Sequence, residues 1–189
     1  MPKDESAQLE VFSSEVVFHG RIWNVVRESF RFGKQKLTRE FVAHPGAVAI
    51  LAINESNEVL LIRQYRHPVR AYLWEIPAGL LDVVGESKTA AAERELLEET
   101  GYRAGRLELL TEFFTTPGGN SETIWIYLAR DLVRVGHEIE LEGEEQELEV
   151  RWVPFHDALK AVLDADIKSP SAVVGILAFA NRMGLRANV

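Results

Sequence analysis

The stretch Gly79–Tyr102 reads GLLDVVGESKTAAAERELLEETGY and constrains the chain more than any other. A glycine-containing loop feeds Lys88–Thr100, rich in Ala, Leu and Glu. That composition predicts a helix, and Gly101 supplies its stop, since glycine enters the left-handed C-terminal cap without a Cβ penalty. Helix positions three and four apart share a face, with Cβ atoms about 5–6 Å apart. Glu95, Glu98 and Glu99 therefore form one acidic cluster. Like charges so spaced cost about 0.2–0.5 kcal/mol per pair. Partial burial raises the Coulomb energy at about 4 Å from about 1 to about 4 kcal/mol as the effective dielectric falls from about 80 to about 20. Such a cluster is either a solvated face softened by Arg94, or a site for a hard divalent cation that takes carboxylate, water and phosphate oxygens. Two such ions can clamp the attacking and leaving oxygens of a phosphoryl centre.

The longer pattern decides between these. Glu86 is followed by seven residues and then by Arg94-Glu95-Leu96-Leu97-Glu98-Glu99-Thr100-Gly101-Tyr102. This resembles the Nudix box: glycine, a short spacer, Glu, seven residues, then Arg-Glu-aliphatic-any-Glu-Glu-any-Gly-aliphatic. Two positions depart from it. Six residues separate Gly79 from Glu86 where five are usual, and Tyr102 stands where an aliphatic is usual. The extra residue falls at Asp82–Gly85, so it bulges the loop and spares the helix face.

Two flanking runs are similar to the ADP-ribose pyrophosphatase branch of that family. Upstream lie Arg63-Gln64-Tyr65-Arg66-His67 and Trp74-Glu75-Ile76-Pro77-Ala78-Gly79. Downstream lies Phe113-Phe114-Thr115-Thr116-Pro117-Gly118-Gly119, then Asn120-Ser121-Glu122, related to the branch's Ser-Asp/Asn-Glu but in a different order.

The resemblance implies an α+β Nudix fold, a mixed β-sheet sandwiched between α-helices. It also implies a small N-terminal β extension over residues 1–44 that serves dimerisation and a hydrolase domain over residues 45–189. It implies Mg²⁺, with Mn²⁺ as the alternative, held by Glu95, Glu98, Glu99 and the backbone carbonyl of Ala78. Glu86 and Arg94 hold the loop to the helix. Arg66 contacts substrate phosphate, a role suited to a fixed, always-charged fork, and Tyr65 and Leu80 border the substrate. Trp23 resembles an aromatic that stacks on adenine in relatives whose nucleoside site spans two subunits of a homodimer; plain packing of Trp23 is the competing role. Carboxylates occupied by metal are poor proton acceptors, and in this branch a Glu on a loop handles the attacking water. Of Glu138, Glu140, Glu142, Glu144, Glu145, Glu147 and Glu149, the spacing from Glu99 and from Trp152-Val153-Pro154 favours Glu144, then Glu145, with Glu147 able to touch metal.

The expected activity is Mg²⁺-dependent hydrolysis of ADP-ribose to AMP and ribose 5-phosphate. Two alternatives stay open: a pyrophosphatase for another nucleoside diphosphate sugar or an oxidised nucleotide, and a non-catalytic sensor that binds ADP-ribose.

The rest of the chain sets bounds. It has 189 residues, enough for one domain with a small extension and a real core. The net charge of −8 disfavours nucleic acid as a partner. The absence of cysteine excludes disulfides, thiolate metal sites and cysteine nucleophiles. Met1–Gln8 lacks the apolar core of a signal peptide, and Ala172–Ala180, the longest apolar stretch, falls far short of the roughly 20 residues that span a bilayer. A cytoplasmic protein with no membrane partner is expected.

Leu9–Phe18 and Arg21–Phe32 read as extended, punctuated by Gly20 and Gly33, and Phe41–Pro45 as a boundary. Ala47–Ile53 and Val59–Tyr65 read as a hairpin across Asn54–Asn57. Leu107–Phe114, Thr123–Ala129 and Leu148–Val153 read as strands, and Phe155–Asp164 as a helix. A last helix starts at Ser169-Pro170, where Ser can cap and Pro suits the first turn. His19, His44, His67, His137 and His156 show no ligand spacing.

Overall fold

The structure is a computed structural model, and it describes residues 1–136 and 148–185. The chain forms two compact units, Met1–Pro45 with Phe114–Glu122, and Gly46–Phe113 with Thr123–Val189.

The first unit is an antiparallel meander of β1 (Val11–His19), β2 (Asn24–Phe32) and β3 (Gln35–Ala43). β2 and β3 turn through two residues, and Gly33 takes the positive φ (61°) that a tight hairpin turn needs. The sequence reading missed β3. Its residues lack a clean apolar alternation, and its main signal is that glycine. Every residue of β1 is exposed. The Thr115–Glu122 loop is sewn to the end of β3: Val42 N–H donates to Gly119 O at 2.9 Å, and Ser121 N–H to Val42 O at 3.1 Å.

Among the described residues, the second unit holds two sheets and three helices. One sheet runs in the order β7 (Ala78–Leu80), β4 (Ala47–Ala52), β9 (Thr123–Arg134), β8 (Tyr102–Phe114). It is mixed, since β4 pairs antiparallel to β7 and parallel to β9. The other is β10 (Glu149–Pro154), β5 (Glu58–Arg66), β6 (Ala71–Glu75), antiparallel throughout. The helices are α1 (Lys88–Thr100), α2 (Phe155–Leu163) and α3 (Pro170–Arg182).

Alternate residues of a strand point to opposite faces, and β4 uses both. Ala49 and Leu51 join Leu61, Ile126, Phe155, Ile176 and Phe179 in a core beneath α2 and α3. Val48, Ile50 and Ala52 join Leu60, Ala91, Ala92 and Leu96 in a core beneath α1. β4 is therefore buried along its whole length, which is why it reads as an unbroken apolar run.

The expected hairpin of β4 and β5 is overturned. The two strands share a turn, with Asn54 N–H donating to Glu58 O at 3.0 Å and Asn57 at φ 57°, and an isolated bridge between Ile53 and Val59. Beyond it they enter different sheets. β4, and β5 over Val59–Ile62, bury apolar residues on both faces, a pattern that leaves their edge partners open; β4 takes β7 and β9, and β5 takes β10 and β6. The last helix starts where expected, but the Ser169 side chain makes no capping bond. Among the described residues no helix is long and apolar enough to cross a membrane.

Candidate active site

α1 is placed by its two ends. The Ser87 hydroxyl accepts from Ala90 N–H at 3.1 Å, and Gly101, at φ 72°, donates its N–H to Leu97 O at 2.8 Å. With Ala91, Ala92 and Leu96 turned into the core, the adjoining edge of the helix brings its carboxylates to β7. Glu99 is buried, and its Oε2 accepts from Ala78 N–H at 2.9 Å. The Glu95 carboxylate lies over Gly79, where a Cβ would stand 1.9 Å from Glu95 Cδ and 2.0 Å from Oε1. The glycine is required for this close approach.

Arg94 ties the loop to the helix. Its Nε and Nη2 each donate to a Glu86 oxygen at 3.0 Å, a bidentate fork, while Nη1 donates to Glu95 Oε1 at 2.6 Å and Glu98 Oε2 at 3.1 Å. The Glu86 bonds, then Glu95 and Glu98, raise the guanidinium's pKa above its ordinary value against the opposing effect of burial. The same hydrogen bonds hold the Glu86 carboxyl below its usual range. One shared arginine thus keeps three carboxylates adjacent, and the fork explains why lysine would not serve.

On the neighbouring sheet, Arg66 donates through Nε and Nη2 to the two oxygens of Glu75, at 2.9 and 2.8 Å. Glu75 is buried, so the fork has a fixed seat. Tyr65 is half-buried, tilted against Tyr72 with ring centroids 5.4 Å apart. Leu80, half-buried, pairs with Ala47. Ala78, Leu80, Glu95, Glu98 and Glu99 are thus brought together around β7 and α1, with Tyr65 and Arg66 at the end of β5. Trp23 belongs to the first unit, where it stacks on His44. Glu144 and Glu145 lie outside the described residues, as do Glu138, Glu140, Glu142 and Glu147. Glu149 opens β10 and pairs with Arg63 and Arg151. Sequence reasoning gave Glu75 no role. Its motif is visible, but nothing in its spacing announces that a carboxylate nine residues from Arg66 returns to that guanidinium.

Among the described residues no three His, Asp or Glu side chains are already gathered as a metal cage; Glu95 and Glu98 turn to Arg94. The donor set is nonetheless one of hard oxygens, with Glu95 and Glu99 against β7 and Glu98 sharing Arg94 with Glu95, in a chain without cysteine. That chemistry fits Mg²⁺, Mn²⁺ or Ca²⁺ and not a thiolate-seeking metal.

Comparison with known proteins identifies the family. The model of the NUDIX domain matches residues 43–172. The ADP-ribose pyrophosphatase of Mycobacterium tuberculosis is 40% identical over 170 residues, 89% of this chain and 82% of that protein. The ADP-ribose pyrophosphatase of Bacillus subtilis is 36% identical over 164 residues, 86% of this chain and 88% of that protein. A solved structure described as an ADP compounds hydrolase superposes with a TM-score of 0.76 at 25% identity, covering 97% of this chain and all of that one. The chain belongs to the Nudix family, and it is a Nudix hydrolase, of a kind that generally uses divalent metal ions. Within that family its similarity runs to proteins named for ADP-ribose.

Proposed function

We propose that this chain hydrolyses the pyrophosphate bond of ADP-ribose, giving AMP and ribose 5-phosphate, with Mg²⁺ as the working ion and Mn²⁺ as a substitute. The observation that carries the reading is the packing of Glu95 and Glu99 onto Gly79 and Ala78 under the Arg94 fork. It collects hard carboxylate oxygens along one strand, the donor type that a hard divalent cation takes.

Glu95, Glu98, Glu99 and the Ala78 carbonyl would hold the ion. When bound, it supplies positive charge to oppose the negative charge that develops on the phosphate oxygens. Arg66, its fork seated on Glu75, orients a phosphate of the substrate. Tyr65 and Leu80 border the substrate, and Trp23 offers a flat surface to the nucleobase. Glu144, with Glu145 as the alternative, takes the proton of the attacking water.

A homodimer and a cytoplasmic setting belong to the same proposal, as does a small-molecule substrate with no nucleic acid. For the dimer the support is β1, which is exposed throughout and carries Val11, Phe12, Val16, Val17 and Phe18 at its surface.

The test is turnover of a panel of ADP-ribose, other nucleotide sugars, dinucleotides and nucleoside triphosphates, with Mg²⁺ and with a chelator. ADP-ribose is expected to be preferred, and its turnover to vanish with the chelator. Preference for another member of the panel overturns the substrate. Binding of ADP-ribose without any turnover overturns the enzyme in favour of a sensor.

A further inference from the structure

In the first unit Trp23 is held from two directions. Its backbone is fixed by a turn in which Gly20 N–H donates to Trp23 O at 2.9 Å. Gly20 tolerates no side chain, since a Cβ would stand 2.2 Å from that carbonyl oxygen. The indole is seated by His44, whose ring stacks on it at 4.3 Å between centroids with 24° between planes.

The imidazole is in turn fixed by a polar chain. His44 Nε2 stands 3.2 Å from Glu122 Oε1, and its side chain is only 5% exposed. The other Glu122 oxygen, Oε2, accepts from the Thr115 hydroxyl at 2.7 Å. His44 N–H donates to the Ser121 hydroxyl at 2.9 Å, and Glu122 N–H to Asn120 Oδ1 at 2.8 Å. Burying an imidazole against a part-buried carboxylate to support one tryptophan is costly, and an aliphatic residue would fill the space more cheaply. What the polar chain adds is orientation: a carboxylate on Nε2 fixes both the tautomer and the plane of the ring, and through the stack the plane of the indole.

We propose that His44 is a positioning residue for the nucleobase of the substrate, presenting the Trp23 indole as a preset flat surface, and that Glu122 and Thr115 hold His44 in that role. The inference rests on the reading of Trp23 as the nucleobase platform. It gives a job to the Thr115–Glu122 loop, which sequence alone marks only as a family signature. Orienting the platform before the ligand arrives lowers the ordering cost of binding, so the effect appears in affinity for the base-bearing part of the ligand.

The experiment is calorimetric titration of the full chain with ADP, which carries the base, and with inorganic pyrophosphate, which does not. Trp23→Ala, His44→Ala, His44→Phe and Glu122→Gln are compared with the unaltered chain. His44→Ala is expected to weaken ADP about tenfold, with pyrophosphate staying within about twofold. His44→Phe, which keeps a ring, is expected to recover most of the ADP affinity. Glu122→Gln is expected to give the same selective loss in smaller degree, and serves if His44→Ala does not fold. Equal weakening of ADP and pyrophosphate, or no change in either, overturns the role. If Trp23→Ala leaves ADP binding unaltered, the platform reading is what fails. If Trp23→Ala weakens ADP while His44→Ala and Glu122→Gln do not, the role of His44 fails alone.

Discussion

Glu99 Oε2 accepts a hydrogen bond from Ala78 N–H at 2.9 Å, joining the last turn of α1 to β7 across 21 residues. The contact serves the fold, because it gives the buried Glu99 carboxylate a part-buried backbone donor, and it brings a charge to the strand where the proposed cation sits. Glu99→Gln separates the two roles. The amide oxygen still accepts from Ala78, so the melting temperature should stay within about 4 °C of the original. Turnover of ADP-ribose should fall about 10²–10³-fold, the loss typical when a group that stabilises transition-state charge is removed. Near-normal turnover in a folded variant refutes the metal assignment.

Gly79→Ala tests the neighbouring carboxylate from the opposite side. The added Cβ falls within 2.4 Å of all three carboxylate atoms of Glu95, so the flexible end of that side chain has to move. The backbone need not. Folding should be little affected, while a displacement on the order of 1 Å in the site should cost about 10² in turnover. Activity close to normal would mean that Glu95 works from a different position.

A cation held by these groups also stabilises the fold, because it binds the native chain and not the unfolded one. At about 100 times its dissociation constant Mg²⁺ should add about 2.7 kcal/mol. For a chain of this size that corresponds to a rise of about 5–11 °C in melting temperature. Thermal melts with Mg²⁺ and with chelator measure this without reference to catalysis. The rise should shrink in Glu99→Gln; a rise of equal size in that variant places the ion elsewhere.

What was legible in the sequence was what local pattern encodes. α1 announces itself by composition, by Gly101 at its end, and by the spacing of Glu86, Arg94, Glu95 and Glu99. The β7 strand does not, because three residues, Ala78–Leu80, carry no periodicity. β4 and β5 were legible as strands, but their pairing was not. A two-sided apolar strand states that both its faces are covered, and says nothing about which strands lie along its edges. Glu75 beneath Arg66 and Glu122 beside His44 were illegible for a related reason. A carboxylate's partner is chosen in space, and in the second case the partners lie 78 residues apart in the chain.

His44 gives the pH prediction. Its ordinary pKa is 6.5; burial pushes it down, and the negative charge of Glu122 opposes that push without cancelling it. A depressed folded pKa means that between the folded and unfolded values the unfolded chain binds more protons. Stability linked to His44 is therefore complete above about pH 6.5 and is lost as the pH falls below it. His44→Gln removes this proton and with it the charge that faces Glu122, so the difference in melting temperature between the two chains follows the titration of that pair. That difference should be flat above about pH 7 and should shift against the unaltered chain as the pH falls below about 6.5. A shift in its favour over the same range would mean that the folded pKa is raised, with Glu122 outweighing burial and His44 carrying its proton in the folded state.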